Sequence, residues 1–395
     1  MRILIVDDDP LILKALNRTF RMQRPRWTAE VVDSGEEAVR RLDTTPFDLV
    51  LTDMQIPGMD GSHVLRHARQ VQPSAVRVVL SGHAPLRRIL EAEGDYHRFL
   101  VKPVDPNDLL AIIEGFVLDP QEEGAALARG LVAGLDHIPS LPYNLAKLRS
   151  LLAQAEPDAQ AVAAVILQDI GFASKVLKLV NSAYMPFRRS ITDLRQAIDF
   201  LGMELIKEMV MDRGVMVSAL DESPEGMSLQ SLWAHSRQVA LVARELILQE
   251  TGDPHAAGEA YSVGLLHDIG RVVLATNPAC AYRTILEEAH DPWEMLTHLE
   301  RARLGTDHVQ VGAQLLGLWG LPEPFGSALR EQHGTDLRQH TSLVSLALHI
   351  AHFQPGSGSA PDRFVEGSFL AGDPLTFVDS AQALWQGALA RWRAG

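Results

Sequence analysis

The sequence predicts an α/β domain built on a doubly wound, five-stranded parallel sheet, followed by an all-α domain. Three features predict it. Five short apolar runs alternate with helical stretches over residues 1–118, the pattern of a sheet covered by helices on both faces. The acidic, turn-forming segment Asp119-Pro120-Gln121-Glu122-Glu123-Gly124 then interrupts the pattern. From Ala125 to about His352 the apolar periodicity is helical, with few β-rich runs. At roughly 150 residues per domain, a chain of 395 residues suits two or three domains.

Ile3-Leu4-Ile5-Val6 is wholly apolar, as a strand buried on both faces should be. A helix follows, with Leu11, Ala15 and Phe20 expected on its inward side and Asp9 as a cap or surface residue. Ala29–Val32 reads as strand, Gly35–Leu42 as helix, Asp48–Leu51 as strand and Ser62–Val71 as helix. Val76–Leu80 and Arg98–Val101 complete the strands, and Asn107–Phe116 is the closing helix. Residues 119–126 read as a linker and 127–352 as a domain of about a dozen helices, punctuated by Gly and Pro. Residues 353–395 hold a flexible connector, Gln354–Pro361, and a helical tail bearing Trp385 and Trp392.

Composition narrows the function. Hydrophobic residues at 46 % and charged residues at 22 % are the balance of a soluble globular chain. No run of about 18 apolar residues is present, so no membrane span is expected. The opening MRILIVDDDP lacks a basic stretch followed by a long apolar one, so no signal peptide is expected. The single Cys280 excludes an intramolecular disulfide and any Cys-rich zinc module, and it fits a cytoplasmic protein. A net charge of −14 argues against nonspecific polyanion binding by the whole chain, while a local basic patch stays open. Arg18 to Arg26, Arg188-Arg189, and Arg301 with Arg303 read as solvated surface. No helix-turn-helix, Walker loop, Gly-rich dinucleotide fingerprint or Ser-His-Asp arrangement stands out, and direct DNA binding is not expected.

Chemistry gathers at the carboxyl ends of the strands. Asp7, Asp8 and Asp9 follow the first strand and Asp53 follows the third, and these ends are neighbours in a doubly wound sheet. Crowded carboxylates are costly unless a cation neutralises them, and carboxylates with a backbone oxygen and water suit Mg²⁺. Ser81 lies at the end of the fourth strand, and Lys102, followed by Pro103, at the end of the fifth. The same edge therefore gathers acids, a hydroxyl and one ammonium.

The motifs ILIVDDDP, DLVLTDMQIPGMDG, VVLSG and VKP, in that order, resemble the receiver domain of bacterial two-component response regulators. The resemblance implies that Asp53 is the phospho-acceptor and that Asp7 and Asp8 hold Mg²⁺. Asp8 and Asp53 would be direct ligands, with the backbone carbonyl of Gln55 as a third. It further implies that Ser81 hydrogen-bonds the phosphoryl group, that Lys102 pairs with it, and that Phe99 is the aromatic switch. Asp60 and Gly61 shape the loop after Asp53 and carry no expected chemistry.

In the helical region His235 shares an apolar stripe with Leu232, Val239, Val242 and Leu246, and His308 shares one with Val311 and Leu315. His267, Asp268 and His333 add two more imidazoles and a carboxylate from other helices, a donor set suited to a buried transition metal. The adjacent His267-Asp268 resembles the signature of the HD superfamily of metal-dependent phosphohydrolases. The landmarks LPYNLAKL, LQDIGFASKVLKLVNSAYM, QAIDFLGMELI, GLLHDIG and GLWGLPE resemble its HDOD subgroup, the HD-related output domains. The Asn181-Ser182-Ala183 and Gln196 to Gly202 pieces belong to that subgroup and read as helix-packing and capping residues. The HD pattern is incomplete: Leu348 stands where its late Asp would be, with His349 and His352 nearby. Arg271 stands where the cyclic di-GMP phosphodiesterase branch has Lys.

The resemblance implies a response regulator phosphorylated by a sensor histidine kinase and signalling through protein contacts of its HDOD domain. The partner of that domain is open, a cyclic-dinucleotide signalling protein being one candidate class, and homodimerisation is open as well. The alternative is a phosphorylation-regulated metallophosphohydrolase acting on a nucleotide or cyclic dinucleotide.

Overall fold

The computed structural model describes residues 1–82, 92, 94–116, 124–135, 137–181, 190–211, 228–277, 280–289, 293–333, 340–352 and 385–386. Most of the linker, Ser182-Ala183, Arg188-Arg189, the 354–361 connector and most of the tail lie outside the described residues. The chain divides into two compact units, the first built on Met1–His137 and the second on residues from Ile138 onward.

The first unit alternates β1 (Arg2–Val6), α1 (Pro10–Gln23), β2 (Thr28–Val32), α2 (Gly35–Thr44), β3 (Leu49–Thr52), α3 (Gly61–Val71), β4 (Val76–Ser81), β5 (Arg98–Val101), α4 (Pro106–Phe116) and α5 (Ala125–Ala133). The five strands form one sheet in the order β2-β1-β3-β4-β5, and every pairing is parallel. Ile3 to Val6 are sealed from solvent, as a strand with helices on both faces requires.

Register places the functional edge. Val6 pairs with Thr52, and Ser81 pairs with Val101. The ladder then runs one rung further: Asp53 N–H donates to the Val6 carbonyl (2.9 Å), and Lys102 N–H donates to the Ser81 carbonyl (2.9 Å). Asp7, Asp53 and Lys102 thus leave the sheet at one edge.

The first helix corrects one expectation. Asp9 does cap α1, its carboxylate accepting from Leu11 N–H at 2.8 Å. Leu11 and Ala15, however, are exposed, and the buried face is Leu13, Leu16 and Phe20. At about 3.6 residues per turn, Leu11 and Ala15 lie opposite that set, and the larger apolar group takes the sheet.

Helix α5 belongs to the first unit. The carbonyl of Ala133, in its last turn, accepts from Arg77 Nη2 (3.2 Å) and from His97 Nε2 (3.0 Å). Arg77 also donates to the carbonyls of Asp95 (2.9 Å) and Ala75 (3.1 Å), so a guanidinium only 1 % exposed has its donors engaged. A cation at a helix C-terminus is favoured by the helix dipole.

The second unit is helical: α6 (Pro142–Leu152), α7 (Ala159–Ile166), α8 (Ile170–Asn181), α9 (Leu194–Met211), α10 (Leu229–Thr251), α11 (Pro254–Leu266), α12 (Ile269–Thr276), α13 (Tyr282–Glu288), α14 (Trp293–Leu304), α15 (His308–Leu318), α16 (Glu323–Glu331) and α17 (Leu343–His352). Among the described residues this unit holds twelve helices, and the helix expected to open it, α5, belongs to the first unit instead. Helix α10 is the spine, packing most extensively on α11 and next on α17. From the tail, Trp385 is fully buried in this unit, its indole N–H reaching Glu250 at 3.4 Å.

Asp169 staples the start of α8. Its carboxylate accepts from Phe172 N–H (3.0 Å), Leu141 N–H (3.0 Å) and Asn144 Nδ2 (2.9 Å), tying α6 to α8. Burial pushes this carboxyl above its usual range, and the converging donors pull it back. Asp169→Ala strands three donors, one of them fully buried, and should cost about 1–3 kcal/mol, read as a lower midpoint in chemical denaturation; an unchanged midpoint would contradict the assignment.

Candidate functional site

The edge reached by β1, β3, β4 and β5 holds the first site. Carboxylate oxygens of Asp7, Asp8 and Asp53 lie within 4.8 Å of one another. Asp7 and Asp53 are buried and Asp8 is exposed, so the pocket opens to solvent on the Asp8 side. Lys102 Nζ donates to Asp7 Oδ2 and to Asp53 Oδ2, each at 2.5 Å. The second oxygens are set by the backbone: Asp9 N–H donates to Asp7 Oδ1 (3.0 Å), and Gln55 N–H to Asp53 Oδ1 (3.0 Å).

Electrostatics follow from crowding. Burial pushes the Asp7 carboxyl above its ordinary range, and the hydrogen bond from Lys102 opposes that. For Lys102, burial disfavours the charge, but hydrogen bonds to Asp53 and Asp7 outweigh it and hold the ammonium above its ordinary value. Three carboxylates against one ammonium leave the pocket negative. The donor set is oxygen only, open on one side and short of positive charge, which fits Mg²⁺.

Ser81 Oγ is buried at the end of β4 and has no hydrogen-bond partner among the described residues, a cost that a group bound at the site would remove. Phe99 is wholly buried and stands edge-on to Tyr96, with ring centroids 6.2 Å apart. The structure thus gathers Asp7, Asp8, Asp53 and Lys102 directly, with Ser81 and Phe99 on the paired strands beside them.

Gly61 matters more to this site than its sequence context suggests. A Cβ there would sit 1.9 Å from the Asp53 carbonyl oxygen. Helix α3 can begin against the Asp53 backbone only because residue 61 has no side chain. The nearby signal was the short MDG turn, which reads as punctuation and carries no hint of this approach.

The second cluster lies wholly inside the helical unit. His235 on α10, His267 and Asp268 between α11 and α12, and His308 on α15 are all buried. Around Asp268 stand His267 Nε2 at 3.5 Å, His308 Nε2 at 3.7 Å, His235 Nε2 at 4.0 Å and Arg271 Nη1 at 3.3 Å. His333 joins through His308, Nε2 to Nε2 at 3.2 Å. All five expected residues therefore converge. His235, His267 and Asp268 are close enough to share one metal ion.

Hydrogen bonds orient the rings. His267 Nδ1 donates to the Gly264 carbonyl at 2.7 Å, which turns its Nε2 lone pair towards Asp268. His308 Nδ1 donates to Glu300 at 2.7 Å, and Tyr282 Oη donates to the other Glu300 oxygen at 2.5 Å. Burial pushes His235 and His333 down to about 3, so both are neutral. His308 sits above its ordinary value because Glu300 outweighs the burial that opposes its charge. Leu348 is fully buried, and His349 Nδ1 donates to the Gln332 carbonyl at 2.9 Å. Sequence reasoning missed Glu300, which sits eight residues before His308 in a charged helix and reads as surface.

An acidic pocket closed by a lysine on a doubly wound parallel sheet, followed in the chain by an all-helical unit, defines the response-regulator class. Residues 3–114 match the response regulator receiver domain family and residues 138–335 the HDOD domain family. The chain belongs to the HDOD family and carries a receiver domain ahead of its HDOD domain.

An uncharacterized protein of Treponema pallidum (strain Nichols) is 26 % identical over 251 residues, 62 % of this chain and 46 % of that protein. Transcriptional regulatory protein GlrR of Escherichia coli (strain K12) is 32 % identical over 113 residues, 28 % of this chain and 25 % of that protein. The chain thus spans less than half the length of these curated relatives. Among solved structures, the MmoQ response regulator from Methylococcus capsulatus str. Bath is 27 % identical at a TM-score of 0.48, covering 55 % of this chain and 86 % of its own. The receiver domain of an HD domain-containing protein from Pseudomonas fluorescens Pf-5 is 32 % identical at a TM-score of 0.27, covering 29 % and 90 %.

Close backbone approach also builds the second cluster. A Cβ on Gly270 would lie 1.9 Å from the His308 carbonyl oxygen, so the start of α12 touches α15 through that glycine. Gly270→Ala should separate His267-Asp268 from His308 and cost about 1–3 kcal/mol by overpacking. Thermal denaturation checks this, and a wild-type midpoint would refute it.

Proposed function

We propose that this response regulator is switched by phosphorylation of Asp53 by a sensor histidine kinase. The observation that carries the reading is the bridging of Asp53 and Asp7 by Lys102 beside the exposed Asp8. The Asp53 carboxylate is the nucleophile towards phosphorus. Lys102, charged and already aimed at it, neutralises charge developing on the phosphoryl oxygens. Ser81 Oγ, which meets no partner among the described residues, would donate to the new acceptors. Asp7, Asp8 and Asp53, with the Gln55 carbonyl, would hold Mg²⁺, which when bound supplies charge neutralisation at those oxygens. The HDOD domain then acts by protein contacts.

Acetyl phosphate with Mg²⁺ should phosphorylate the wild-type chain, and intact-mass analysis should show no addition to Asp53→Asn and a strongly reduced one to Asp8→Ala. Undiminished labile phosphate on Asp53→Asn would refute the acceptor assignment.

One observation favours a second reading, a phosphorylation-regulated metallophosphohydrolase: His235, His267 and Asp268 can share a metal ion. Against it, Arg271 already places a buried cation on Asp268, and Leu348 offers no ligand. Arg271 lies against Asp268 and His308 against Glu300, so each buried carboxyl already faces a basic side chain of the same unit. We therefore assign the cluster a structural role in the HDOD output domain. His267→Ala should cost about 2–4 kcal/mol from the cavity and the partners it strands, with no hydrolytic activity to lose. Stoichiometric Mn, Fe, Co, Ni or Zn in the purified protein, lost in His267→Ala together with turnover of a nucleotide or cyclic dinucleotide, would establish the second reading instead.

A further inference from the structure

Away from both sites, the helical unit contains a cleft of about 450 Å³ between the end of α7, the start of α9, and helices α10 and α11. Three of its lining residues are arginines: Arg195 at the start of α9, and Arg237 and Arg244 on α10. All three are exposed, and among the described residues none of their guanidinium groups makes an ion pair or a side-chain hydrogen bond. The one carboxylate in the lining, Asp193, is already used. Its Oδ1 accepts from the backbone N–H groups of Arg195 (2.8 Å) and Gln196 (3.4 Å), capping α9.

An apolar wall is formed by Leu167 and Pro254 with the Tyr261 side chain, while Leu241 lies between Arg237 and Arg244 on the same face of α10. The Tyr261 hydroxyl donates to the Leu167 carbonyl at 2.6 Å, which holds that wall in place. Burial pushes the Tyr261 phenol up to about 12, while Arg237, Arg244 and Arg195 each pull it back. The potential of all three guanidinium groups therefore reaches the floor of the cleft.

Such a concentration of cations runs against a chain of net charge −14 and leaves three bidentate donors aimed at one space. The volume falls within the roughly 300–1,000 Å³ of small-molecule sites, and a lone phosphate would leave the apolar wall uncovered. We propose that this cleft binds a small ligand bearing two or more phosphoryl groups on an apolar, ring-containing body, in chemical class a nucleoside di- or triphosphate. Arg195, Arg237 and Arg244 hold the phosphoryl oxygens, and the Leu167–Pro254–Tyr261 wall covers the base. The site is separate from the histidine cluster. Arg237 lies two residues beyond His235 on α10, about 200° around the helix, so one helix turns its imidazole inward and its guanidinium groups into the cleft.

The test is isothermal titration of the full chain with ATP, ADP, GTP and inorganic pyrophosphate. Saturable binding of at least one nucleotide is expected, weakened at least about tenfold in Arg237→Gln/Arg244→Gln by the loss of two charge-assisted contacts. Because both arginines are exposed, that variant should keep the wild-type circular dichroism spectrum and melting temperature. Asp53→Asn should bind as wild type does, which separates this cleft from the receiver. No saturable binding of any nucleotide at about 1 mM would overturn the proposal. So would unchanged affinity in the double variant, or pyrophosphate binding as tightly as the nucleotides.

Discussion

Parallel register forces like charges together, and Lys102 is what makes that tolerable. Because Val6 pairs with Thr52, the residues that follow, Asp7 and Asp53, leave the sheet side by side. Two unit charges 4 Å apart repel by about 4 kcal/mol at an effective dielectric constant near 20, and Asp8 adds a third. Lys102, delivered by β5 two strands from β3, reaches both buried carboxylates at 2.5 Å. It offsets part of the repulsion and leaves the rest. A pocket that is buried enough to focus charge, open on one side and still negative attracts a cation and presents a carboxylate ready to react. A neutral Lys102 or a slipped β5 would remove that property while leaving the sheet intact.

The histidine cluster solves the same problem differently. Its Asp268 and Glu300 are both wholly buried, and their charges are met by Arg271 and His308 from within the chain. Buried charges survive when paired and hydrogen-bonded, and here each carboxylate has a cation within 3.3 Å or less. The receiver pocket holds three carboxylates against one ammonium and opens on one side, whereas in the helical unit Asp268 and Glu300 each lie against a basic side chain in a wholly buried setting.

Much of this was legible in the chain. Strand-end residues are readable because a parallel sheet converts sequence position into spatial position, so Asp7, Asp53, Ser81 and Lys102 could be placed from five apolar runs. His235 and His308 could be placed on inward stripes by helical period, while His267 was marked by its adjacent Asp268. The failures have physical causes. Leu11 and Ala15 look apolar beside Phe20, but helical geometry sets them opposite Leu13 and Leu16. Glu300 was hidden because nothing in a charged helix announces that its carboxylate will be buried under His308 and Tyr282. Gly61 and Gly270 act through absent atoms, and the approach of another backbone leaves no trace in local sequence. The arginines of the cleft come from two helices, with Arg195 and Arg237 about forty positions apart in sequence, so no basic run marks it.

Within the first unit, the two strands that finish the acidic pocket also hold the helix that precedes the second unit in sequence. Ser81 and Lys102 stand at the carboxyl ends of β4 and β5. Arg77 and His97, at or beside the opposite ends of the same strands, both donate to Ala133 at the end of α5. Arg77 N–H in turn donates to His97 Nδ1 at 2.9 Å, which fixes the tautomer that leaves Nε2–H for Ala133. Helix α5 cannot leave the receiver without exposing a buried guanidinium whose remaining donors are committed to carbonyls of β4 and its flanking turns. The contacts of Ala133 thus tie α5 to the ends of β4 and β5 that lie opposite Ser81 and Lys102.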